Sequence, residues 1–240
     1  MHMHPAGCIR TIQETLPTIM PIAPIELHNL KIEELNNQQM IFIHLQETSV
    51  PLMLKYCVIR STLSFICENV SHGMCFDKSK SLMPIISMCS ILDQIGVCYN
   101  RKDIPEPKFK NGIKRALYYF GEFDENDVII DIIYALRNGL THNVSLTSYD
   151  KFKDKYYHFR YDKEIDTVYK LPEIEWNGNY DTLDTGREKF TTLINVENLK
   201  SLVFTCVRKA EELNQDNQLE LRLSGGLKQL FFDYMRTIDR

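Results

Sequence analysis

The feature that most constrains this chain is a one-sided run of apolar residues near its middle. Five branched side chains recur at the spacing i, i+3, i+4, i+7 and i+11, namely Ile129, Ile132, Ile133, Leu136 and Leu140. This spacing places all five on one face of an α-helix. Asp124 or Asn126 can cap the helix at its N-terminus. Because so continuous an apolar face must be covered, the chain is expected to build its core around this helix.

Comparable three- and four-residue spacing predicts further helices along the chain. Their expected ranges are residues 31–47, 51–70, 79–99, 109–120, 196–213 and 227–234. Pro51 is placed in the first turn of its helix, where a missing N–H is tolerated. Asn195 is expected to cap the helix that follows it. The fold class predicted from these patterns is mainly α, a helical bundle.

The residues that follow the central helix have a different character. Aromatic and β-branched side chains alternate in part around residues 162–164, which predicts an inserted β-hairpin or small sheet with a turn there. Further strands are expected at residues 173–176 and 190–194, and alternating leucines indicate another at 219–223.

These patterns predict a single domain over residues 1–240. Its expected parts are an irregular N-terminal segment at 1–30, a β-rich insertion at 150–194 and a C-terminal extension at 217–240.

Composition and charge exclude several functional classes. With 28 basic and 32 acidic side chains the formal net charge is −4, so any contact with nucleic acid requires a local basic patch. No apolar run reaches the roughly 18 residues of a membrane span, and the first residues lack the pattern of a secretion signal. No membrane partner and a cytoplasmic location are therefore expected. Seven cysteines without a C-x-x-C pair predict reduced, buried thiols.

One group of residues has the types needed for a zinc site. Cys67, His72 and Cys75 could supply three ligands around a helix end. Structural zinc normally takes four ligands at tighter spacing, so no metal and no cofactor are expected.

A polar cluster interrupts the apolar helix near its C-terminal end. Arg137, Asn138 and His142 lie within six residues. On a continuous helix Asn138 and His142 share a face, whereas Arg137 and His142 are about 140° apart and are not expected to form a side-by-side pair. An imidazole can transfer a proton near neutral pH, and a guanidinium can stabilise charge on phosphate oxygens. Because RNA supplies its own nucleophile in the 2′-hydroxyl, these side chains suit metal-free phosphodiester chemistry.

The same residues also allow a purely structural interpretation. Arg-Asn-Gly followed by His is a common way to end a helix, since it combines favourable charge with C-cap residues. Gly139 is then expected to loosen or end the helix. Residue types alone leave both interpretations open.

The segment from Ile132 to His142 resembles a known family. At the end of a helix in a mainly helical chain, it resembles the signature of the HEPN superfamily, an Arg with a polar follower and then a His after four to six intervening positions. Four residues intervene between Arg137 and His142, and Asn138 is the polar follower. The order of helices is compatible with this family over residues 31–215, so the resemblance implies a helical bundle of the HEPN type.

The resemblance also implies an activity, a metal-independent endoribonuclease acting as a homodimer with a composite active site. Carried over to this sequence, Arg137 and His142 would be catalytic and Asn138 would position the site. The implied reaction is attack of the 2′-hydroxyl on the adjacent phosphate of RNA, leaving a cyclic phosphate and a 5′-hydroxyl end. Such enzymes resemble toxins or antiphage-defence effectors, for which an inhibitor or antitoxin protein is a further candidate partner. The alternative is a catalytically silent module for nucleotide binding, protein interaction or dimerisation.

Two features depart from the family pattern. Some toxin members carry a modifiable Tyr two residues after the His, whereas this chain has Val144. The aromatic hairpin also has no place in a minimal HEPN unit.

Basic residues interleaved with aromatic ones make this hairpin the predicted RNA-contacting surface. The predicted RNA-binding residues are Lys151, Lys153, Lys155 and Arg160. A half-buried hairpin with a solvated basic face is the alternative.

Overall fold

The computed structural model describes residues 27–48, 50–76 and 82–239. The helices of this part are α1 (Asn37–Leu45), α2 (Thr62–Met74), α3 (Met83–Cys98), α4 (Gly112–Tyr119), α5 (Val128–Asn143), α6 (Asp181–Gly186), α7 (Val196–Gln215) and α8 (Gly226–Tyr234). Its strands are β1 (Leu52–Met53), β2 (Cys57–Ser61), β3 (Tyr99–Arg101), β4 (Thr147–Asp150), β5 (Lys155–Tyr161), β6 (Tyr169–Lys170), β7 (Thr192–Ile194), β8 (Leu219–Leu221) and β9 (Met235–Asp239). Short 3₁₀ helices cover Ile32–Glu34 and Arg187–Phe190.

The predicted fold class is wrong, because the molecule has a mixed α/β fold rather than a mainly helical bundle of the HEPN type with one β insertion. Its described strands form three sheets, with the orders β1-β2-β9, β3-β8 and β4-β5-β7-β6. Strands β5, β7 and β8 lie where strands were predicted, and β6 overlaps the end of the predicted hairpin, whereas β4 was not predicted. Strand β2 pairs with β9, and β3 with β8, between segments that are far apart in sequence, as where Ser61 of β2 lies opposite Met235 of β9. Strands β1 and β2 form a local hairpin.

The helix predicted for residues 51–70 is in fact a β-hairpin followed by α2. In β2 the side chains of Cys57, Ile59 and Ser61 are buried, and those between them are half-buried. Helix α2 begins only after Ser61, whose hydroxyl accepts a hydrogen bond from the amide of Ser64 at 3.0 Å. The segment satisfies both the helical and the alternating period, and pairing with β9, a distant part of the chain, decides between them.

The β-rich insertion also has a different register from the one predicted. The hairpin turn lies at residues 151–154, between β4 and β5, and not at 162–164. On its other edge β5 pairs in parallel with β7, which in turn pairs antiparallel with β6. Residues 173–176 form no strand, whereas β7 lies within the strand predicted at 190–194.

Of the remaining helices, α6 (Asp181–Gly186) was not predicted, and the others lie close to their predicted positions. Helix α1 is shorter than the predicted range and follows a 3₁₀ turn, and α3 begins at Met83, with part of its predicted start outside the described residues. Asn195 caps α7 as predicted, because its side-chain oxygen accepts from the amide of Asn198 at 3.1 Å. Most of the predicted irregular segment, residues 1–30, lies outside the described residues.

The core is centred on α3, α4 and α5. All five residues of the predicted apolar face of α5 are buried, which confirms that face. Helices α3 and α4 cross at two glycines: a Cβ on Gly96 would lie 1.9 Å from the carbonyl oxygen of Gly112. Such backbone-to-backbone contact tolerates no side chain. Among the described helices, none has the length and apolar character that crossing a membrane requires.

Candidate active site at the end of helix α5

Helix α5 is defined by a cap at each end. At the N-terminus Asp127, and neither Asp124 nor Asn126, is the capping residue, since its carboxylate accepts from the amide of Ile129 at 3.2 Å. At the C-terminus the chain turns at Val144, which has left-handed backbone angles (φ 50°, ψ 39°). The predicted end at Gly139 is therefore wrong, and the helix carries Arg137, Asn138 and His142 on its last two turns.

Gly139 serves a different purpose. A Cβ at this position would lie 2.7 Å from the carbonyl oxygen of Ser145 and 2.8 Å from that of Thr147. The amide of Ser145 also donates to the carbonyl oxygen of Gly139 at 3.0 Å. The glycine therefore lets the connection from α5 to β4 fold back over the helix, directly beside the polar cluster.

The three polar side chains of the motif converge. Arg137 Nη1 donates a hydrogen bond to Asn138 Oδ1 at 3.1 Å and lies 3.3 Å from His142 Nε2. The expectation that Arg137 and His142 lie apart is wrong, because the long arginine side chain reaches around the helix. A guanidinium can only donate, so in this contact His142 Nε2 is the acceptor.

The environment of Arg137 leaves its charge available. His142 is exposed, whereas Arg137 and Asn138 are half-buried. Within the described ranges Arg137 forms no ion pair with a carboxylate, and its side-chain partners are the neutral Asn138 and His142. Burial raises the pKa of the Cys89 thiol to about 12, and the positive charge of Arg137 acts on it in the opposite direction. The carbonyl groups at the end of α5 stabilise the positive charge of Arg137, and it is this charge, not the helix end, that can attract an anion.

The β4–β5 hairpin is held against α5 by Asp131. Its carboxylate accepts from Lys114 of α4 at 2.8 Å and from Lys153 of the hairpin turn. Burial acts to raise the pKa of Asp131, but the hydrogen bonds from both lysines outweigh it and hold that pKa below its usual value. Asp131 lies two and three turns before Asn138 and His142 on one side of the helix, so the hairpin turn packs against the side of α5 that carries the motif.

The four predicted RNA-binding residues differ in how strongly their charges are already paired with carboxylates. Lys153 is bound to Asp131, and Lys155 forms an ion pair with Glu175. Arg160 lies 3.9 Å from Glu188 on a solvent-exposed surface, where ion pairs are weak. Lys151 is exposed, with Nζ 5.2 Å from the centre of the Phe152 ring. The hairpin therefore offers Lys151 and Arg160 as cations for a polyanion more readily than the other two.

Of two further groups near α5, Asp131 was not predicted from the sequence, and His158 was a candidate for the site without a spacing argument. Asp131 had a usable signal in its spacing from Asn138 and His142, but its lysine partners lie on other elements. His158 on β5 had no spacing signal at all. It contacts Thr191 across the sheet, with Nδ1 2.8 Å from the threonine hydroxyl.

Within the parts of the chain that the structure describes, no three His, Cys, Asp or Glu side chains are arranged to hold a metal ion. Cys67 is buried inside α2 and Cys75 is exposed just beyond its end. Comparison of the chain with protein-family models, with curated proteins and with solved structures finds no match. The case for a function therefore rests on the geometry of the motif.

Proposed function

We propose that the protein is a metal-independent endoribonuclease with an active site of the HEPN type, which acts in the cytoplasm. The observation that carries the proposal is the contact between Arg137 and His142 at the exposed end of α5. It combines a charge that no described carboxylate neutralises with an imidazole that can move a proton. A phosphate bound by Arg137 would lie next to that imidazole, since the two nitrogens are 3.3 Å apart.

The reaction that fits these groups is a transesterification within RNA. His142 accepts the proton of the 2′-hydroxyl as the O2′–P bond forms, and the guanidinium of Arg137 stabilises the charge that develops on the phosphate oxygens. The P–O5′ bond then breaks and the 5′-oxygen takes up a proton. The products are a 2′,3′-cyclic phosphate and a 5′-hydroxyl end. Neither a metal nor a nucleophile from the protein is required.

Asn138 is assigned a positioning role. Its side-chain oxygen holds Arg137 Nη1 at 3.1 Å, which keeps the guanidinium near His142. We propose that the enzyme acts as a homodimer, in which His142 of the second subunit can protonate the leaving oxygen. A toxin or antiphage-defence effector, held in check by an inhibitor protein, is the role that the motif resemblance favours.

A second function is favoured by one observation. Lys153 and Lys155 are already paired with Asp131 and Glu175, which removes two cations from the predicted RNA-contacting surface. A catalytically silent module that binds a nucleotide or a protein partner would need fewer free cations than an enzyme that holds an RNA strand. The same motif residues would then bind phosphate without cleaving it.

The deciding experiment incubates purified protein with mixed RNA in the presence of EDTA. The wild type and His142→Ala are compared with a matched control, His72→Ala, which removes another exposed histidine near the end of α2. We expect wild type and control to cleave in EDTA and His142→Ala to be inactive, and the cleaved ends to carry a cyclic phosphate. Cleavage by His142→Ala at the wild-type rate would remove that residue from the mechanism. Phosphate binding without cleavage by any of the three would favour the silent module.

The composite site has its own test. The variant His142→Cys places one new thiol in each subunit. If the two motifs face each other in a dimer, these thiols should form a disulfide under mild oxidation. A dimer that resists this cross-link while remaining dimeric would place the two motifs apart.

A further inference from the structure

A cavity beside the N-terminal part of α5 indicates a second site. It has a volume of about 200 Å³ and lies between the first two turns of the helix and the four-stranded sheet. Val128 and Ile132 line it on the helix side, and Tyr156, Trp176 and Phe190 line it elsewhere. The cavity is smaller than the roughly 300–1,000 Å³ typical of sites for drug-sized ligands. It can therefore enclose one small ring system.

The cavity wall includes the ion pair of Lys155 and Glu175 as well as His158. Lys155 and Glu175 already bind each other, so His158 is the polar group considered as a partner for a ligand. The hydroxyl of Thr191 donates its proton to the carbonyl oxygen of Arg187 at 2.6 Å. The same hydroxyl oxygen must then accept from His158 Nδ1, which lies 2.8 Å away. This arrangement fixes the proton on Nδ1 and leaves Nε2 as an acceptor, and Nε2 makes no hydrogen bond to any residue that the structure describes.

The charge state of His158 supports the same conclusion. Burial, and then the nearby positive charge of Arg187, lower the pKa of this imidazole below its usual value. The ring is therefore neutral at pH 7, with a lone pair on Nε2. Arg187 itself is exposed and forms no ion pair among the described residues, so it is free to bind an anion near the cavity.

We propose that this cavity binds a single nucleobase, which lies against its apolar and aromatic walls and donates an N–H from its edge to His158 Nε2. These walls suit a ligand that has flat apolar faces and a hydrogen-bond donor at its edge. Aromatic side chains commonly stack on unpaired bases. Arg187 outside the cavity can hold the phosphate attached to the base. A ring without an anionic group would leave that cation unused.

The base can come from an RNA strand or from a free nucleotide. Ile132 in the cavity wall precedes Arg137 by five residues, about 7.5 Å along the helix axis and about 140° around it. A base bound here can belong to the strand whose phosphate is bound by Arg137 if that strand bends around the helix, an assignment that rests on the proposed ribonuclease function. Binding of a free nucleotide does not depend on that function.

The test uses Trp176, the single tryptophan of the chain, which is 5% exposed and lines the cavity. Its fluorescence is measured while nucleoside monophosphates, a short single-stranded RNA or ribose 5-phosphate are added. The RNA is added to His142→Ala, so that it stays intact if the wild type cleaves it. We expect a saturable change with the nucleotides or the RNA and none with ribose 5-phosphate.

Three variants locate the response. His158→Phe keeps an aromatic ring but removes the acceptor, and Leu171→Phe narrows the cavity from a half-exposed rim position (49% exposed) that is tolerant of substitution. We expect at least tenfold weaker binding in both, and unchanged binding in the matched control His72→Phe. Folding of each variant is checked by circular dichroism.

The outcomes separate this site from the motif. A response to RNA alone identifies a strand as the source of the base, and a response to monophosphates identifies a free nucleotide. No saturable change with either at millimolar concentration, or an undiminished change in both cavity variants, overturns the proposal. Base binding without RNA cleavage by the wild type would overturn the ribonuclease function and leave this site standing.

Discussion

Two arginines on neighbouring helices are used in opposite ways. Arg115 on α4 is 1% exposed, and its guanidinium donates to the carbonyl oxygen of Gly96 at 3.1 Å, to Glu106 at 3.0 Å and to the side chain of Asn100. Arg137 on α5 is half-buried, and its side-chain partners are Asn138 and His142. The first has a carboxylate and two fixed acceptors within the protein, whereas the second has no carboxylate within the described ranges.

The difference separates a structural cation from one that can act on a ligand. A charge whose acceptors are all supplied by the fold gains nothing from an incoming anion, and removing it leaves buried groups unpaired. A charge held only by neutral neighbours can exchange them for a phosphate at small cost.

The largest effect is expected for Arg115→Ala. It removes one of the largest fully buried side chains and leaves the Gly96 carbonyl and Asn100 without their donor. We expect the free energy of unfolding to fall by roughly 3 kcal/mol or more. Urea denaturation measures it, with Arg115→Met as the control that keeps most of the side-chain stem. A loss below about 1 kcal/mol would break the comparison, because Arg115 would then not be a structural cation.

The next effect is a pH dependence that arises from the buried histidine of α1, His44. Burial lowers the pKa of His44 from 6.5 to about 3, and the ring is bound to Tyr99 at 2.6 Å and Gln94 at 2.8 Å. The unfolded chain takes up a proton near pH 6.5 and the folded chain does not until about pH 3, so stability falls as the pH falls through this window. The expected loss is about 2 kcal/mol between pH 8 and pH 5.

This dependence is measured by urea denaturation at a series of pH values, and the control is His44→Phe. That variant keeps a ring but cannot take up a proton, so its stability should fall less steeply over the same window. Equal slopes for the two proteins would show that His44 is not the titrating group.

A smaller effect is expected at Gly139, where the connection between α5 and β4 packs against the helix beside the motif. Gly139→Ala would place a Cβ against the carbonyl oxygens of Ser145 and Thr147. The clash outweighs the helical preference of alanine, and we expect a loss of roughly 1–2 kcal/mol. Thermal unfolding measures it, with the exposed Thr141→Ala as control. An unchanged or raised melting temperature would show that the connection to β4 can move away from the helix.

The smallest effect on stability is expected for Arg137→Ala. Because its partners are neutral and partly solvated, we expect a change within about 0.5 kcal/mol, together with loss of RNA cleavage if the proposed function holds. Asn138→Ala should reduce the rate less, since that residue only positions Arg137. A stability loss as large as that of Arg115→Ala would place Arg137 in the structural class and remove the contrast.

The parts of the fold that sequence predicts well are those with one dominant period. The apolar face of α5 and the helix after Asn195 were found because their spacing fits a helix and nothing competes with it. Residues 51–61 fit two periods at once, and β9 is too short to show one. Their structure depends on partners far along the chain, which a local pattern does not contain.

The residues of the candidate site could be predicted from the sequence, but the contacts between their side chains could not. Arg137, Asn138 and His142 could be singled out by residue type and spacing, but their contact depends on how far an arginine side chain bends around the helix. The neutralisation of Lys153 and Lys155 depends on Asp131 and Glu175, which lie about twenty residues away in either direction. The role of His158 depends on the strand that lies beside it.

The pairing of β2 with β9 has a consequence for how this protein is made. Ser61 lies opposite Met235 and Ile59 opposite Thr237, so the early hairpin gains its third strand only after the ribosome has synthesised the segment beyond α8. Until then β2 exposes an open edge, which is the kind of surface that other chains can pair with. A nascent chain stalled before β9 should therefore be the form most dependent on chaperones.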